Sequence, residues 1–199
     1  MEASASVGCV LLAAGNGARF GRNKLLAEFR CKPLIQWALE AVPKELVAAV
    51  AVVTQYQEVA ELAAGFGFQT VWNSAPELGV SHSVCLGTQA LKGECQGILF
   101  LVSDQPLLRK ETVARLIEAF CQNPERIIVS AAEGRQGNPC VFPLALFPAL
   151  ETLEGDRGGK QIIRRHPELV TEFTVDPVEL LDVDTVEDLQ KNLYISDVL

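Results

Sequence analysis

Three short segments of this chain combine residue types that phosphate and metal chemistry require. The first runs from Ala13 to Lys24, and in it Gly15 and Gly17 precede two cations, Arg19 and Lys24. Glycines let a backbone approach a ligand closely and turn its amides towards an anion. Arginine offers a planar fork of donors to phosphate oxygens, and lysine offers a point charge. We expect this segment to bind a polyphosphate; a turn with solvated basic residues is the simpler alternative.

The spacing of this segment differs from two familiar phosphate-binding patterns. Gly15, Gly17 and Gly21 give GxGxxxG, whereas the dinucleotide fingerprint is GxGxxG. The GxxxxGK[ST] phosphate loop is also missing from the sequence, since its nearest approach, residues 158–161, lacks the hydroxyl residue. The sequence therefore predicts a phosphate site of another kind.

The other two segments carry carboxylates. Asp104 follows an apolar run and precedes Pro106, which would place its carboxylate at the exposed end of a strand. Asp182 and Asp184 flank one apolar residue, so both would lie on one side of an extended segment. Mg²⁺ usually takes one or two carboxylates together with substrate phosphates. We expect Asp104 to bind Mg²⁺ and Asp184 to complete the site, with Asp182 as the alternative ligand. The alternative to a metal site is purely structural: Asp104 would then stabilise a turn, and Thr185 would cap the last helix.

The order of apolar and amphipathic segments predicts the elements that position these residues. The expected strands are Val7–Ala13, Leu46–Thr54, Gln69–Trp72, Gly97–Ser103 and Arg126–Ala132. The expected helices are Pro33–Val42, Gln57–Phe66, Ser81–Leu91 and Glu111–Cys121. Such alternation predicts right-handed βαβ units. Ligands bind at the carboxyl ends of the strands in such sheets, so the first segment and Asp104 should meet at one edge.

The remainder of the chain has a looser pattern. It predicts short strands at Pro139–Pro143 and Val170–Val175, a glycine-rich loop at Gly155–Lys160, a helical turn at Gln161–Arg165 and a last amphipathic helix at Thr185–Leu193. No linker or repeat divides the sequence. We therefore expect one domain over residues 1–199, of α/β class, with a mostly parallel sheet and helices on both faces.

Composition excludes several classes of function. The net charge of −8 argues against nucleic-acid binding and against an anionic membrane surface. No apolar run is long enough to span a bilayer, and the first residues lack the basic region of a secretory signal. The six cysteines form no CxxC pair, which disfavours a zinc or redox role. We expect a cytoplasmic protein.

Together these segments resemble the MobA-like NTP transferases, and among them the molybdenum cofactor cytidylyltransferase (MocA-like) branch. The resemblance extends from Val7 to Leu193. It is carried by Ala-Ala-Gly, Arg-Phe-Gly and Asn-Lys-Leu-Leu in the first segment, by Asp-Gln-Pro at 104–106 and by the acidic segment 182–188. It implies a Rossmann-like nucleotidyltransferase fold, with an NTP-binding part at about 1–130 and an acceptor-binding part at about 131–199.

The resemblance also implies the residues of the site. Expected catalytic residues are Arg19, Lys24 and Asp104, and expected metal ligands are Asp104 and Asp184. Expected NTP-binding residues are Leu12, Ala13, Ala14, Gly15, Gly17, Arg19, Lys24, Asn73, Ser81 and Ser83. Expected acceptor-binding residues are Asn138, Asp156 and Lys160. Departures from the family pattern are Val186 for proline, Gly159 and Lys160 for alanine and arginine, and His82 within a serine-rich segment.

The function that follows is transfer of CMP from CTP to the terminal phosphate of molybdopterin or molybdenum cofactor. In the resembling family, Leu-Ala-Ala-Gly, found here at 12–15, goes with CTP, and Leu-Ala-Gly-Gly goes with GTP. Two alternatives stay open. One is a transferase of the same fold that uses GTP or acts on a sugar or polyol phosphate. The other is a non-catalytic carrier that delivers the cofactor to a molybdenum-dependent oxidoreductase, which is also a possible partner of the enzyme.

Overall fold

The strands of this protein form one large sheet and one small hairpin. A computed structural model describes residues 6–15, 20 and 23–194. The strands are β1 Val7–Ala13, β2 Glu28–Phe29, β3 Lys32–Pro33, β4 Val50–Thr54, β5 Gln69–Trp72, β6 Gly97–Val102, β7 Ile127–Ala132, β8 Arg135–Pro143 and β9 Val170–Thr174. Seven of them form the main sheet in the order β5-β4-β1-β6-β8-β7-β9, and β2 pairs with β3. The predicted mostly parallel sheet is thereby confirmed, and β1 pairs directly with β6, the strand that precedes Asp104.

One strand of the main sheet runs against the others. β8 is antiparallel to β6 and to β7, while the remaining pairs are parallel. The sequence predicts only a short strand at Pro139–Pro143, but β8 begins at Arg135. The reason is a two-residue turn, in which Glu133 and Gly134 both have positive φ and join β7 directly to β8.

Helices cover both faces of the main sheet, as the sequence predicts. They are α1 Leu34–Glu40, α2 Gln57–Gly65, α3 Val80–Leu91, α4 Lys110–Gln122, α5 Phe147–Glu151, α6 Lys160–Arg165 and α7 Val186–Tyr194. Side chains of β1 alternate between two cores: Cys9 and Leu11 pack with α1, α2 and α4, whereas Val10 packs with α3, α5 and α6. Period-two alternation on a strand covered on both sides explains why β1 is apolar throughout.

The helix α3 lies directly on β1. A Cβ atom at Gly87 would lie 2.4 Å from Cγ1 of Val10, so only glycine permits this approach. The contact fixes the N-terminal end of α3 close to the end of β1, where the site residues are expected.

Some predicted elements differ from those observed. The strand expected at Leu46–Thr54 begins at Val50, because Lys44–Leu46 form a 3₁₀ turn after Pro43. The β2–β3 hairpin and α5 are too short to produce a periodic pattern, so the sequence did not predict them. Within the described part of the chain, no helix is long and apolar enough to cross a membrane.

Candidate active site

Two carboxylates and one ammonium group meet where β1 and β6 end. Lys24 Nζ donates to Asp104 Oδ2 at 2.7 Å and to Asp184 Oδ1 at 3.0 Å. It also donates to the carbonyl of Val183 at 3.1 Å. Lys24 opens a short 3₁₀ helix, and the Asn23 side chain caps this helix by accepting from the amide of Leu25. The structure thus brings together three residues that the sequence predicts for the site, although 160 positions separate the first from the last.

The charges of this cluster shift the pKa of its members. Partial burial lowers the pKa of Lys24, but the charges and hydrogen bonds of Asp104 and Asp184 outweigh that effect, and its pKa lies above the ordinary value. Lys24 therefore stays protonated at neutral pH. Burial, and to a smaller extent the nearby charge of Asp104, raises the pKa of Asp182. The carboxylate of Asp182 accepts a hydrogen bond from Gln105 Nε2 at 3.0 Å.

The carboxylates at this point suit a magnesium ion. One oxygen of Asp104 and one of Asp184 lie within 3.0 Å of the same nitrogen, so they converge on a single position. Both are hard oxygen donors, and the Asp184 side chain is 53% exposed, which leaves room for water and phosphate oxygens. Groups of three or more metal-ligating side chains are not found among the described residues. The arrangement therefore fits an ion that takes few protein ligands.

Side chains from neighbouring strands hold the carbonyl groups at the end of β1. Each of four successive carbonyls accepts one hydrogen bond: Leu12 from Ser103 Oγ at 2.8 Å, Ala13 from Thr54 Oγ1 at 3.0 Å, Ala14 from Gln55 Nε2 at 2.7 Å and Gly15 from Tyr56 Oη at 2.9 Å. We call this set the carbonyl row. It fixes the backbone that the sequence assigns to the nucleotide. Sequence reasoning missed the four donors, although polar residues at the ends of β4 and β6 were a visible signal.

Two adjoining cavities open at this edge of the sheet. The carboxylate cavity has a volume of about 420 Å³ and contains Lys24, Asp104 and Asp184 in its wall. The basic cavity has a volume of about 400 Å³. Both cavities are lined by Leu12, Val80, Val102 and Asp156. The two cavities therefore lie side by side, and we refer to them together as the cleft.

The basic cavity combines an apolar floor with a cationic rim. Apolar floor residues are Val84, Phe100, Val129, Cys140, Phe142 and Ile163. Rim cations are Arg157, Lys160 and Arg164. Burial raises the pKa of the Cys140 thiol to about 12, so this group stays protonated. A Cβ at Gly159 would lie 2.8 Å from Phe142 Cζ, which explains glycine at this departure from the family pattern.

The turn that precedes α3 depends on a second glycine. Gly79 has φ +86, and a Cβ there would lie 2.3 Å from Asp156 Oδ1. Glycine at this position therefore lets the start of α3 close against the segment that carries Asp156. The contact joins the early and late parts of the chain across the cleft.

The predicted site residues fall into three groups. The carboxylate cavity is lined by Leu12, Ala14, Gly15, Lys24, Ser83, Asp104 and Asp184. The basic cavity is lined by Asn138, Asp156 and Lys160. Ala13, Asn73 and Ser81 are buried and line neither cavity; Asn73 donates to Ser83 Oγ at 2.9 Å and so orients a residue that does. Arg19 and Gly17 lie outside the described residues.

Comparisons with known proteins identify the family of this chain. The family model for the MobA-like NTP transferase domain matches residues 9–170, and the chain belongs to this family of nucleotidyltransferases. The purine catabolism protein PucB of Bacillus subtilis is 29% identical over 192 residues, covering 90% of this chain and 92% of PucB.

Two further relatives are informative. The bifunctional protein GlmU of Pelobacter propionicus is 34% identical over 138 residues, which are 67% of this chain but only 30% of GlmU. This chain therefore spans less than a third of that relative. The crystal structure of Rv0371C from Mycobacterium tuberculosis H37Rv, a complex with manganese, has a TM-score of 0.77 and 25% identity, and covers 94% of this chain and 98% of that one.

Proposed function

We propose that this protein transfers CMP from CTP to the terminal phosphate of a molybdopterin-type cofactor and releases pyrophosphate. The observation that carries the proposal is that the cavity with Lys24, Asp104 and Asp184 adjoins a cavity with an apolar floor and cationic rim. The first cavity suits a metal-bound triphosphate, and the second suits an anionic acceptor. Their shared wall would bring the two substrates together.

Asp104 and Asp184 would hold Mg²⁺ in this proposal. The ion, when bound, would neutralise charge on the triphosphate and on the departing pyrophosphate. The manganese complex of the M. tuberculosis relative supports a divalent cation in this fold. With the carboxylates engaged in this way, Lys24 would turn its ammonium group to the triphosphate, together with Arg19.

The acceptor needs little chemical activation. A phosphate monoester has a second pKa of about 6 and is mostly ionised at neutral pH, so no general base is required. Positioning and charge neutralisation then dominate the transfer. This agrees with a cleft that has cations and carboxylates but whose described walls include no histidine.

The floor of the basic cavity favours a flat heterocyclic acceptor over a sugar phosphate. A sugar exposes hydroxyl groups on most sides and needs polar partners for them, since unpaired polar groups are costly to bury. The cavity offers flat apolar surface from Phe100, Phe142 and aliphatic side chains, and cations lie at the rim. Its uncharged polar side chains are Gln136 and Asn138, which could pair with the polar edge of a heterocycle. A pterin with an anionic phosphate arm matches that arrangement.

The small side chain of Ala14 supports CTP as the nucleotide. Ala14 is 6% exposed, lines the carboxylate cavity and belongs to the carbonyl row. A glycine here would admit closer approach by a larger base. GTP is the alternative nucleotide, and a molybdenum-dependent oxidoreductase is the proposed recipient of the product in the cytoplasm.

A substrate panel tests this function. Purified protein would be incubated with Mg²⁺, with CTP, GTP, ATP or UTP, and with molybdopterin cofactor or a sugar phosphate, and pyrophosphate and product mass would be measured. We expect the highest kcat/KM for CTP with the molybdenum cofactor. A higher kcat/KM with GTP or with the sugar phosphate would show that the proposed nucleotide or the proposed acceptor is wrong. Tight cofactor binding without pyrophosphate release from any NTP would favour the carrier function.

A further inference from the structure

Two segments beside the carboxylate cavity are joined to each other along their length. One is the turn 104–109 between β6 and α4, and the other is the late segment 179–184. The amide of Val183 donates to the carbonyl of Asp104 at 2.8 Å. Gln105 Nε2 donates to Asp182 Oδ1 at 3.0 Å. Each segment carries one of the two carboxylates that meet at Lys24, so these contacts bear on the geometry of the site.

The strongest contact between the two segments lies at their far end. Glu179 is 3% exposed and is the one charged residue that is buried in the described part of the chain. Its Oε1 accepts from Arg109 Nε at 3.0 Å, from Arg109 Nη2 at 2.6 Å and from Thr112 Oγ1 at 3.0 Å. Its Oε2 accepts from the backbone amide of Arg109 at 3.0 Å. These four hydrogen bonds compensate the desolvation of the carboxylate.

Glu179 also supplies the cap that α4 lacks locally. The residue before the helix is Arg109, whose side chain makes no capping hydrogen bond to the helix. The carboxylate of Glu179, 70 positions away, meets the N-terminal turn instead, where the helix dipole favours a negative charge. Because Val113, Leu116 and Phe120 of α4 are buried against the sheet, the late segment is tied to a rigid element.

The spacing along the chain links this contact to the site. Arg109 follows Asp104 by five positions, and Asp184 follows Glu179 by five positions. The two carboxylates therefore lie at one end of the joined segments, and the Arg109–Glu179 pair lies at the other. The side chain of Asp184 is 53% exposed, so its position depends on how its backbone is held. The buried Val183 holds that backbone locally, and the Arg109–Glu179 pair holds the other end of the late segment.

We propose that Arg109 and Glu179 are positioning residues that hold Asp184 against Asp104 and so set the affinity of the site for a divalent cation. This role rests on the proposed function of the two carboxylates as metal ligands. Neither positioning residue touches Lys24 or lines the carboxylate cavity. Their effect on the metal would pass through the backbone of the late segment.

The test is a manganese titration of the full chain, with free Mn²⁺ followed by electron paramagnetic resonance well below the melting temperature. Glu179→Gln keeps the size of the side chain and removes its charge. We expect about tenfold weaker Mn²⁺ binding, the effect typical of losing a supporting interaction around a metal ligand. Arg109→Lys, which keeps the charge but loses the forked contact, should weaken binding less. The matched control is Glu151→Gln, which breaks the ion pair with Lys92 at 2.6 Å and should bind like wild type.

The outcomes separate the two proposals. Asp104→Asn should weaken Mn²⁺ binding most, and if it does not, the metal site and the positioning role both fail. If Asp104→Asn weakens binding but folded Glu179→Gln and Arg109→Lys bind Mn²⁺ as wild type does, the positioning role alone is wrong. A lower melting temperature with an unchanged dissociation constant would likewise assign the pair to stability only.

Discussion

At the scale of single residues, the site contains a cation of its own. Lys24 lies between Asp104 and Asp184 and compensates the charge of both carboxylates. Two acids can therefore stand close together without strong mutual repulsion. Exchange of this ammonium group for a divalent ion would release Lys24 for another anion.

Neutralising the two carboxylates should have unequal effects. Asp104→Asn removes the less exposed of the two proposed metal ligands, and we expect a loss of about 10²–10³ in single-turnover rate, the usual value of one electrostatic stabiliser. Asp184→Asn should be milder, because its side chain is more exposed. The melting temperature should fall only slightly, since Lys24 keeps one partner in each variant.

Asp182→Asn is the matched control for these two variants. Asp182 lies in the same segment, but its carboxylate contacts Gln105 and not Lys24. We expect a rate close to that of wild type under limiting Mg²⁺. A larger loss in Asp182→Asn than in Asp184→Asn would identify Asp182 as the second ligand.

Residue types were more predictable than residue contacts. The sequence predicts a shared site for Lys24, Asp104 and Asp184, because charged residues at strand ends or beside glycines stand out from an apolar background, and the structure brings the three together. The sequence did not predict that Lys24 contacts both acids. It also missed Arg109 and Glu179, since a pair 70 positions apart in ordinary amphipathic surroundings leaves no local pattern.

At the scale of elements, α7 begins with a capping box that anchors the end of the acidic segment. The amide of Asp188 donates to Thr185 Oγ1 at 3.1 Å, and the amide of Thr185 donates to Asp188 Oδ2 at 2.9 Å. The sequence predicts this cap alongside a ligand role for Asp184. The two roles are compatible, because they use adjacent residues.

Removing this cap should destabilise the protein moderately. Thr185→Ala should lower the free energy of unfolding by about 1 kcal/mol at neutral pH, measured by urea denaturation. The hydrogen bond from Thr185 lowers the pKa of Asp188, so the charged form is stabilised by folding. Its contribution is present above the ordinary carboxyl pKa and is lost as the pH falls through the lowered value. Asp188→Asn should therefore differ from wild type at pH 7 and converge with it in strong acid; a constant difference would exclude this linkage.

Long elements were predictable and short ones were not. β1, β6, α3 and α4 appear within two residues of their predicted limits, because continuous or periodic apolar patterns define them. β8 was underestimated, since its direction depends on the Glu133–Gly134 turn and not on hydrophobicity. The β2–β3 hairpin has two residues in each strand, too few for any period.

At the scale of the whole molecule, overall and local charge have opposite signs. The chain carries a net charge of −8, yet the rim of the basic cavity presents Arg157, Lys160 and Arg164. Anionic substrates would be repelled at a distance and held only inside the cleft. The proposed reaction needs these local cations, because both of its substrates are polyanions.

Substitution of a residue that lines only the basic cavity should change acceptor binding and leave CTP binding unaffected. Lys160→Ala should raise the KM for the acceptor by about tenfold or more, the value of a charged hydrogen bond of about 1.5–3 kcal/mol, and leave the KM for CTP nearly unchanged. Arg165→Ala is the control, since it removes the same charge from α6 but does not line the cavity. Equal effects of the two variants on the acceptor KM would indicate general electrostatics and not a binding contact.

Most residues that line the basic cavity come from one part of the chain. Apart from residues on β1, α3, β6 and β7, its wall comes from one uninterrupted stretch, 136–164. The carboxylate cavity takes only Asp156 from that stretch. Part of this stretch is β8, which pairs with β6 on one side and β7 on the other. A substitution on β8 that reshapes the basic cavity must therefore also preserve the pairing of an internal strand, whereas one in 144–164 is free of that constraint.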